Sequence, residues 1–178
     1  MWNQIEDLTD DDCAFEPCAQ IKVAEDETAL AQLKSRVKKL SAMGFYHEKI
    51  LSKGQLFAHL PELSRHCVGG MMVEKDGHAN PFRSTQAFKR KSMQLGARFY
   101  QKTEVLSIKS ISSDFLITTQ KRKILSNKII NCSGAWGQNI SKMLGDNTTI
   151  SPRAPMLMIT APLPLFLNPV VGSQNQAL

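Results

Sequence analysis

The 178-residue chain lacks several patterns that would assign a protein to a class at once. Its ten glycines form no GxGxxG sequence, the pattern that opens a dinucleotide-binding βαβ unit. Its four cysteines form no CxxC pair and have no histidine at zinc-ligand spacing, which favours free thiols over a metal centre or a disulfide scaffold. No basic leader opens the chain, so we predict a cytoplasmic protein, with a mitochondrial location left open. The most apolar stretch, 161–171, is broken by three prolines, so no transmembrane segment is predicted.

The charge is ordinary in amount but uneven in position. Residues 1–27 carry nine acidic and one basic side chain, net −8, and residues 28–178 carry seven acidic and 21 basic ones, net +14, which together give +6. Such asymmetry can indicate an anionic partner, which includes a phosphate-bearing cofactor, or simply a solvated basic surface. Aromatic residues make up only 7% and no nucleic-acid-binding module is recognisable, so we predict no nucleic-acid partner.

Hydrophobic periodicity and helix-capping residues predict three helices in the first half of the chain. Acidic residues at 25–27 open the first helix, and Gly44 ends it. A second helix is expected over 52–60, where Pro61 stops it. A third should begin at Arg83 or Ser84 and end at Gly96; its inward-facing residues are expected to be Ala87, Phe88 and Leu95.

Short apolar runs predict strands near residues 21–23, over 68–73, over 97–101 and over 155–161. Gly69 and Gly70 in the second of these runs would let another group approach the backbone closely. The strand at 97–101, which follows a helix, is interpreted as the second half of a βαβ-like crossover. Alternating methionines at Met156 and Met158 indicate core packing or a contribution to a substrate site.

The stretch 104–144 organises the rest of the chain. Its pattern predicts a strand, a hairpin and a strand, then an apolar run at Ile129 and Ile130 that turns directly into a helix. Small residues between a strand and a helix let the backbone approach a ligand and direct free amide groups toward it. A cofactor site is one interpretation of this turn, and a plain packing turn is the other. Cys132, inside the apolar run, is expected to be buried.

Four segments, taken in order, resemble the flavin-dependent amine and amino-acid oxidoreductases of the D-amino acid oxidase and glycine oxidase type. Residues 76–81 are similar to that family's DGxxxP turn, and residues 95–99 to its GA helix exit. Residues 103–108 are similar to its xxVxxI strand, and residues 131–136 to its NAAGAW turn. The resemblance therefore covers nearly the whole chain.

This resemblance implies an α/β fold that combines part of a Rossmann-like FAD-binding sheet with part of an antiparallel substrate-binding sheet. Residues 1–75 and 150–178 would belong to the substrate side, and residues 76–149 to the FAD side. The cofactor-binding residues would be Glu104 and Val105 beside the adenine, and Cys132, Ser133, Gly134 and Trp136 around the ribose and pyrophosphate. Sheet packing is the alternative role for Val105 and Gly134, and core packing is the alternative for Trp136.

The resemblance implies hydride transfer from a small-molecule amine or amino acid to FAD. His59 and His78 are interpreted as surface residues, so neither a catalytic acid or base nor a metal site is predicted. The family's GxGxxG unit and its closing glycine-rich turn at the flavin ring are both missing, so we expect a middle fragment that does not hold FAD alone. A truncated gene model, a subunit whose remainder is a separate chain, and a decayed paralogue stay open. The alternative function is a non-catalytic binding or assembly fragment with a basic surface.

Overall fold

The computed structural model describes residues 2–153, 158–159, 161, 163–164 and 166–173, which fall into two compact units. Unit 1 comprises residues 1–97 and 159–178, and unit 2 comprises residues 98–158. Unit 1 contains a mixed sheet and unit 2 an antiparallel sheet, each with helices, which confirms the predicted α/β class. The assignment of segments to a substrate side and an FAD side stays a prediction. None of the helices in the described part of the chain is long and apolar enough to span a membrane.

The sheet of unit 1 has four strands in the order β2-β3-β1-β7. They are β1 (Gln20–Ala24), β2 (Lys49–Ser52), β3 (Gly69–Val73) and β7 (Val170–Ser173). Strand β3 runs antiparallel to both β1 and β2, and β7 runs parallel to β1. Strand β2 was not predicted, because a four-residue strand offers too few positions to show a period.

Helices cover both faces of this sheet. Helix α2 (Glu27–Ala42) buries Leu30 and Leu33 against Met71 of β3. Helix α3 (Lys53–His59) buries Leu56 with Ile21 and Met72 on the opposite face. The alternation follows from the two-residue period of a strand, which sends Met71 and Met72 to opposite sides.

Capping residues in the sequence explain where helices α2 and α3 begin and where α2 ends. The carboxylate of Asp26 accepts a hydrogen bond from the backbone N–H of Ala29 at 2.7 Å, and thereby caps α2. Ser52 and Gln55 form a reciprocal capping box at the start of α3. Gly44 follows α2 with a φ of +87°, as expected of a glycine after a helix end.

Helix α4 (Pro81–Gln94) begins two to three residues earlier than predicted. Asn80 caps it by accepting hydrogen bonds from the N–H groups of Phe82 and Arg83, and proline is favoured in the first turn because it has no N–H to satisfy. Ala87 is buried as predicted, whereas Leu95 is 80% exposed, so its predicted inward orientation was wrong. The predicted inward Phe88 is exposed as well.

The close approach expected at Gly69 and Gly70 is made by neighbouring strands rather than by a ligand. A Cβ atom on Gly70 would lie 2.7 Å from the carbonyl oxygen of Lys22 in β1. A Cβ on Gly69 would lie 2.9 Å from the carbonyl oxygen of Leu51 in β2. Both glycines therefore allow β3 to sit between its two neighbours.

The acidic N-terminal segment is neutralised within unit 1. Its α1 helix (Ile5–Thr9) leads into a loop whose carboxylates pair with α4: Asp11 accepts from Arg83 at 2.9 Å and from Arg90 at 3.0 Å. The backbone N–H of Cys13 also donates to Asp11 at 2.8 Å. This last hydrogen bond, followed by the one from Arg90, lowers the pKa of Asp11 below its ordinary value. The sequence showed the excess of acid but not the basic helix face that it meets.

Unit 2 contains a three-stranded meander in the order β4-β5-β6. Its strands are β4 (Val105–Ile111), β5 (Asp114–Thr119) and β6 (Lys123–Ser126). Ile108, Ile117 and Ile124 pair across the three strands and so point to one face. A 3-10 turn (Gly134–Trp136) leads into α5 (Gly137–Met143), which packs against β4.

Three predicted strands were wrong or fall partly outside the described residues. Residues 97–101 form no strand, and because β3 and β4 belong to different sheets there is no βαβ-like crossover between them. Ile129 and Ile130 are also outside any strand, and Ile130 is 86% exposed. In the predicted strand over 155–161, which includes Met156, residues 155–157 and 160 lie outside the described residues, and 158–159 and 161 are not in a strand. An apolar run becomes a strand only when a neighbouring backbone can pair with it, and sequence does not reveal that neighbour.

Candidate cofactor-binding turn

The turn that begins at residue 131 is built around the side chain of Asn131. Its amide Nδ2 donates to the carbonyl oxygen of Gly137 at 2.9 Å and to the Ser141 hydroxyl at 3.3 Å. Its Oδ1 accepts hydrogen bonds from the backbone N–H of Ser133, at 3.3 Å, and from the Ser133 hydroxyl. One side chain therefore fixes both the entry to the turn and the first helical turn of α5.

Asn131 is the first residue of the NAAGAW-like segment, and the sequence alone predicted no role for it. A local signal did exist, because asparagine readily bonds to backbone groups two residues further on. What the sequence does not show is the longer reach to Gly137 and Ser141, which depends on the start of α5. We class Asn131 as a positioning residue for the turn.

Gly134 adopts a backbone conformation that favours glycine. Its φ is +54°, in the left-handed region that side chains with a Cβ disfavour. A Cβ built on it would have no atom within 4 Å, so the space beside this residue is open. Gly134 is thus exposed, free of crowding and able to lie against a ligand.

Val105 lies at an irregularity in the meander. The register of β4 against β5 shifts between Val105 and Ser107, since Val105 pairs with Thr119 and Ser107 with Thr118. Leu106 is thus an extra residue of β4 without an opposite residue on β5, as in a β-bulge. Val105 is half-buried, and Glu104 before it is exposed. The predicted adenine-contact segment therefore coincides with a break in regular pairing.

The remaining predicted site residues are exposed or half-buried. Cys132 is exposed, so its predicted burial was wrong; the run that contains it is not a strand, and none of the described strands pairs with it. Trp136 is 71% exposed, which is against the core-packing alternative. Ser133 is half-buried, and its carbonyl oxygen accepts from the N–H of Trp136 at 3.0 Å. Turn residues 131–137 thus form one hydrogen-bonded unit.

The helix that follows contributes little to anion binding through its dipole. Helix α5 has only seven residues, and Trp136 gives it no side-chain cap. A short helix carries fewer aligned peptide dipoles, so the N-terminus of α5 attracts an anionic group only weakly. The part of the turn that a ligand could contact is the accessible backbone at Gly134.

The histidines and cysteines in the described part of the chain form no metal centre. His59 and His78 are exposed, as predicted, and all four cysteines are free thiols. Among the described residues no group of histidine, cysteine and carboxylate side chains could hold a metal ion. Burial raises the pKa of the Cys67 thiol, which keeps it protonated and unreactive.

Unit 1 has its own pockets beside the mixed sheet. One of about 370 Å³ is lined by Lys22, Met71 and the ion pair of Arg36 with Glu48. The Arg36 guanidinium holds the buried Glu48 carboxylate through two nitrogens, at 2.7 Å and 3.0 Å, and this hydrogen bonding raises the pKa of Arg36. Arg36 therefore neutralises the Glu48 carboxylate, and the other charged side chains that line this pocket are Lys22 and Asp76.

A family model described as FAD dependent oxidoreductase (DAO) matches residues 1–176. The chain belongs to this family. Glycine oxidase from Geobacillus kaustophilus (strain HTA426) is 27% identical over 127 residues, which cover 70% of this chain and 34% of the relative. The family predicted from sequence is confirmed, and with it the dependence of the family on FAD.

Solved structures of this fold agree with the chain over nearly its whole length. The crystal structure of glycine oxidase from Geobacillus kaustophilus matches with a TM-score of 0.75 at 22% identity, over 97% of this chain and 46% of the other. That of L-proline dehydrogenase from P. horikoshii matches with a TM-score of 0.79 at 22% identity, over 97% and 47%. The chain spans about a third of the curated glycine oxidase and less than half of either solved chain.

Two features of unit 2 would allow a cofactor to approach the backbone closely. These are the open space beside Gly134 and the register shift between Val105 and Ser107. The sequence has no GxGxxG turn, so a glycine-rich cradle for the pyrophosphate is not present in it.

Proposed function

We propose that this chain forms the adenosine side of an FAD site in an oxidoreductase that oxidises amines or amino acids. The observation that carries the proposal is that unit 2 holds two backbone features suited to close approach, the positive-φ glycine at 134 and the bulge at Val105. The family match supports FAD as the ligand. Glycine oxidase and L-proline dehydrogenase, by their names, support an amino acid as the substrate class.

Each candidate residue has a stated task in this proposal. The backbone of Glu104 and Val105 borders the adenine, next to the register shift at Leu106. The backbone of Cys132, Ser133 and Gly134 borders the ribose and the start of the pyrophosphate, and the exposed ring of Trp136 closes the same side. Asn131 positions the turn without touching the cofactor.

FAD, when bound, supplies the chemistry by accepting a hydride from the carbon that bears the amine. None of the described side chains is assigned as a catalytic acid or base. The pyrophosphate cradle and the flavin-ring site would come from the remainder of the flavoprotein, in the same or a separate chain. A cytoplasmic location is likewise part of the proposal.

A chimera tests the proposal directly. Residues 98–153 would replace the structurally equivalent segment of Geobacillus kaustophilus glycine oxidase, whose fold agrees with this chain at a TM-score of 0.75. We expect the folded chimera to retain stoichiometric FAD, measured by its visible absorbance. A chimera that is folded by circular dichroism but colourless would contradict the proposal. The 178-residue chain alone is expected to remain colourless after incubation with FAD, because it has no GxGxxG cradle.

The alternative, a non-catalytic binding or assembly fragment with a basic surface, is favoured by a different observation. Residues 98–158 of unit 2 carry nine basic and three acidic side chains. The same chimera separates the two functions. If it binds FAD and its flavin is reduced by glycine, the segment supports catalysis; if it folds without flavin, only the binding function remains.

A further inference from the structure

The two units differ sharply in charge balance. Unit 2, residues 98–158, contains nine basic and three acidic residues, net +6, so that the remaining 13 basic and 13 acidic residues leave unit 1 neutral. Every ion pair found between described residues lies in unit 1. The whole surplus of positive charge therefore lies in unit 2, where the described residues form no ion pair.

Three consecutive basic residues mark the tip of the β5–β6 hairpin. Lys121, Arg122 and Lys123 are all exposed. The buried Thr119 fixes the turn beneath them: its hydroxyl accepts from the N–H groups of Lys121 at 3.3 Å and Arg122 at 3.0 Å, and donates to the Arg122 carbonyl at 2.9 Å. These hydrogen bonds fix the backbone from which the three basic side chains extend, which lowers the entropy cost of binding.

Arg122 is oriented by an aromatic ring. Its guanidinium carbon lies 4.1 Å from the centroid of the Tyr100 ring, which is cation–π distance. The guanidinium covers one face of that ring. Its donors remain available for a carboxylate, which the planar guanidinium fits well.

Strand β6 continues from the hairpin along the edge of the meander. In the order β4-β5-β6 it has a described neighbour only on the β5 side. Lys123 and Leu125 point to the same face, opposite Ile124, and Leu125 is 62% exposed. An exposed edge strand with free backbone groups is a template for an added strand.

We propose that an acidic, extended segment of a partner protein adds to the outer edge of β6 and places carboxylates against the Lys121–Arg122–Lys123 turn. Backbone pairing along β6 would provide affinity, Leu125 would take an apolar side chain, and the basic turn would fix direction and register. The apolar component, the exposed Leu125 on the edge strand, favours a protein segment over nucleic acid. This inference is independent of the proposed FAD site.

Two peptides and one oligonucleotide test the inference on the 178-residue chain. The probes are a fluorescent peptide of alternating glutamate and leucine, a matched peptide of alternating glutamate and serine, and a single strand of DNA of equal charge. Fluorescence anisotropy at low salt gives each Kd. We expect the glutamate–leucine peptide to bind most tightly, and Leu125→Ser to remove its advantage over the glutamate–serine peptide.

Matched charge reversals supply the control. Lys121→Glu, Arg122→Glu and Lys123→Glu together should raise the Kd of the glutamate–leucine peptide about tenfold or more, a loss of at least about 1.4 kcal/mol. Lys34→Glu, Lys38→Glu and Lys39→Glu on α2 alter net charge equally and should leave the Kd within about twofold. Equal losses in both variants, tighter binding of DNA, or no binding of the glutamate–leucine peptide would each overturn the inference. Circular dichroism confirms that both variants are folded.

Discussion

The role of Gly134 can be separated from its effect on stability, because the same unit contains a matched glycine. Gly134 has a φ of +54° and Gly145, after α5, a φ of +87°, and a Cβ on either would meet no atom within 4 Å. Valine at either position therefore strains the backbone without crowding a neighbour. In the proposed site, only Gly134 lies beside the cofactor.

The strain has a known scale. A residue with a Cβ loses about 1–2 kcal/mol in the left-handed region, and a β-branched residue stands at the upper end of that range or above it. Since neither glycine has a close neighbour, no term for overpacking is added. Gly134→Val and Gly145→Val should therefore lower the free energy of unfolding by similar amounts, about 2 kcal/mol each.

Flavin content should distinguish the two variants in the glycine oxidase chimera. Gly145→Val is expected to keep its FAD, whereas Gly134→Val should lose it, since the valine side chain would occupy the space left for the cofactor. The ratio of flavin absorbance to protein absorbance gives the stoichiometry, and thermal denaturation of the apoproteins gives the stability. If Gly134→Val retains full flavin, the turn is only a packing feature and the assigned cofactor site is wrong.

Three further predictions concern stability and pH. Ile108 is 5% exposed, whereas Leu106, at the register shift, is 50% exposed. Ile108→Ala should therefore lower the free energy of unfolding, measured by chemical denaturation, by about 2–5 kcal/mol, and Leu106→Ala by clearly less. Equal losses would contradict the assignment of Ile108 to the buried face. Gly70→Ala should destabilise the chain by about 1–3 kcal/mol, because its Cβ would lie 2.7 Å from a backbone oxygen, while Gly54→Ala in the open first turn of α3 should stabilise it by about 0.5–1 kcal/mol. The pKa of Asp11 is lower in the folded state than in the unfolded state, where it is about 3.9. The ionised carboxylate therefore stabilises the fold fully above the unfolded pKa. This stabilisation is lost as the pH falls through the folded pKa. Asp11→Asn should therefore lower the free energy of unfolding at neutral pH. The difference in this free energy between the variant and the unaltered chain should shrink below about pH 4, and a constant difference would contradict the prediction.

The parts of the fold that local chemistry dictates could be predicted from the sequence. The start of α3 and the end of α2 follow from Ser52 and Gly44, whose preferences act within one turn of the chain. The hairpin of β4 and β5 is equally local, since its strands are joined by a short turn. Such features need no knowledge of distant residues.

The parts that depend on distant partners could not be predicted. Ile129 and Ile130 have the residue types of a strand, but pairing requires another backbone beside them. The same reason accounts for Cys132, whose predicted burial rested on that missing strand. The pairing of Asp11 with Arg83 and Arg90 likewise joins residues more than 70 positions apart.

The candidate site shows why family resemblance adds what residue chemistry does not. Contacts made through the backbone place few demands on side chains, so Glu104 and Cys132 show no feature in the sequence that marks a cofactor site. Only a residue that sets the backbone path is constrained in type. In this turn the constraint falls on Gly134, through its positive φ, and on Asn131, through four hydrogen bonds. Two such positions on one side of a turn are compatible with many packing turns. It is the family match over residues 1–176 that turns this local geometry into a specific hypothesis about FAD.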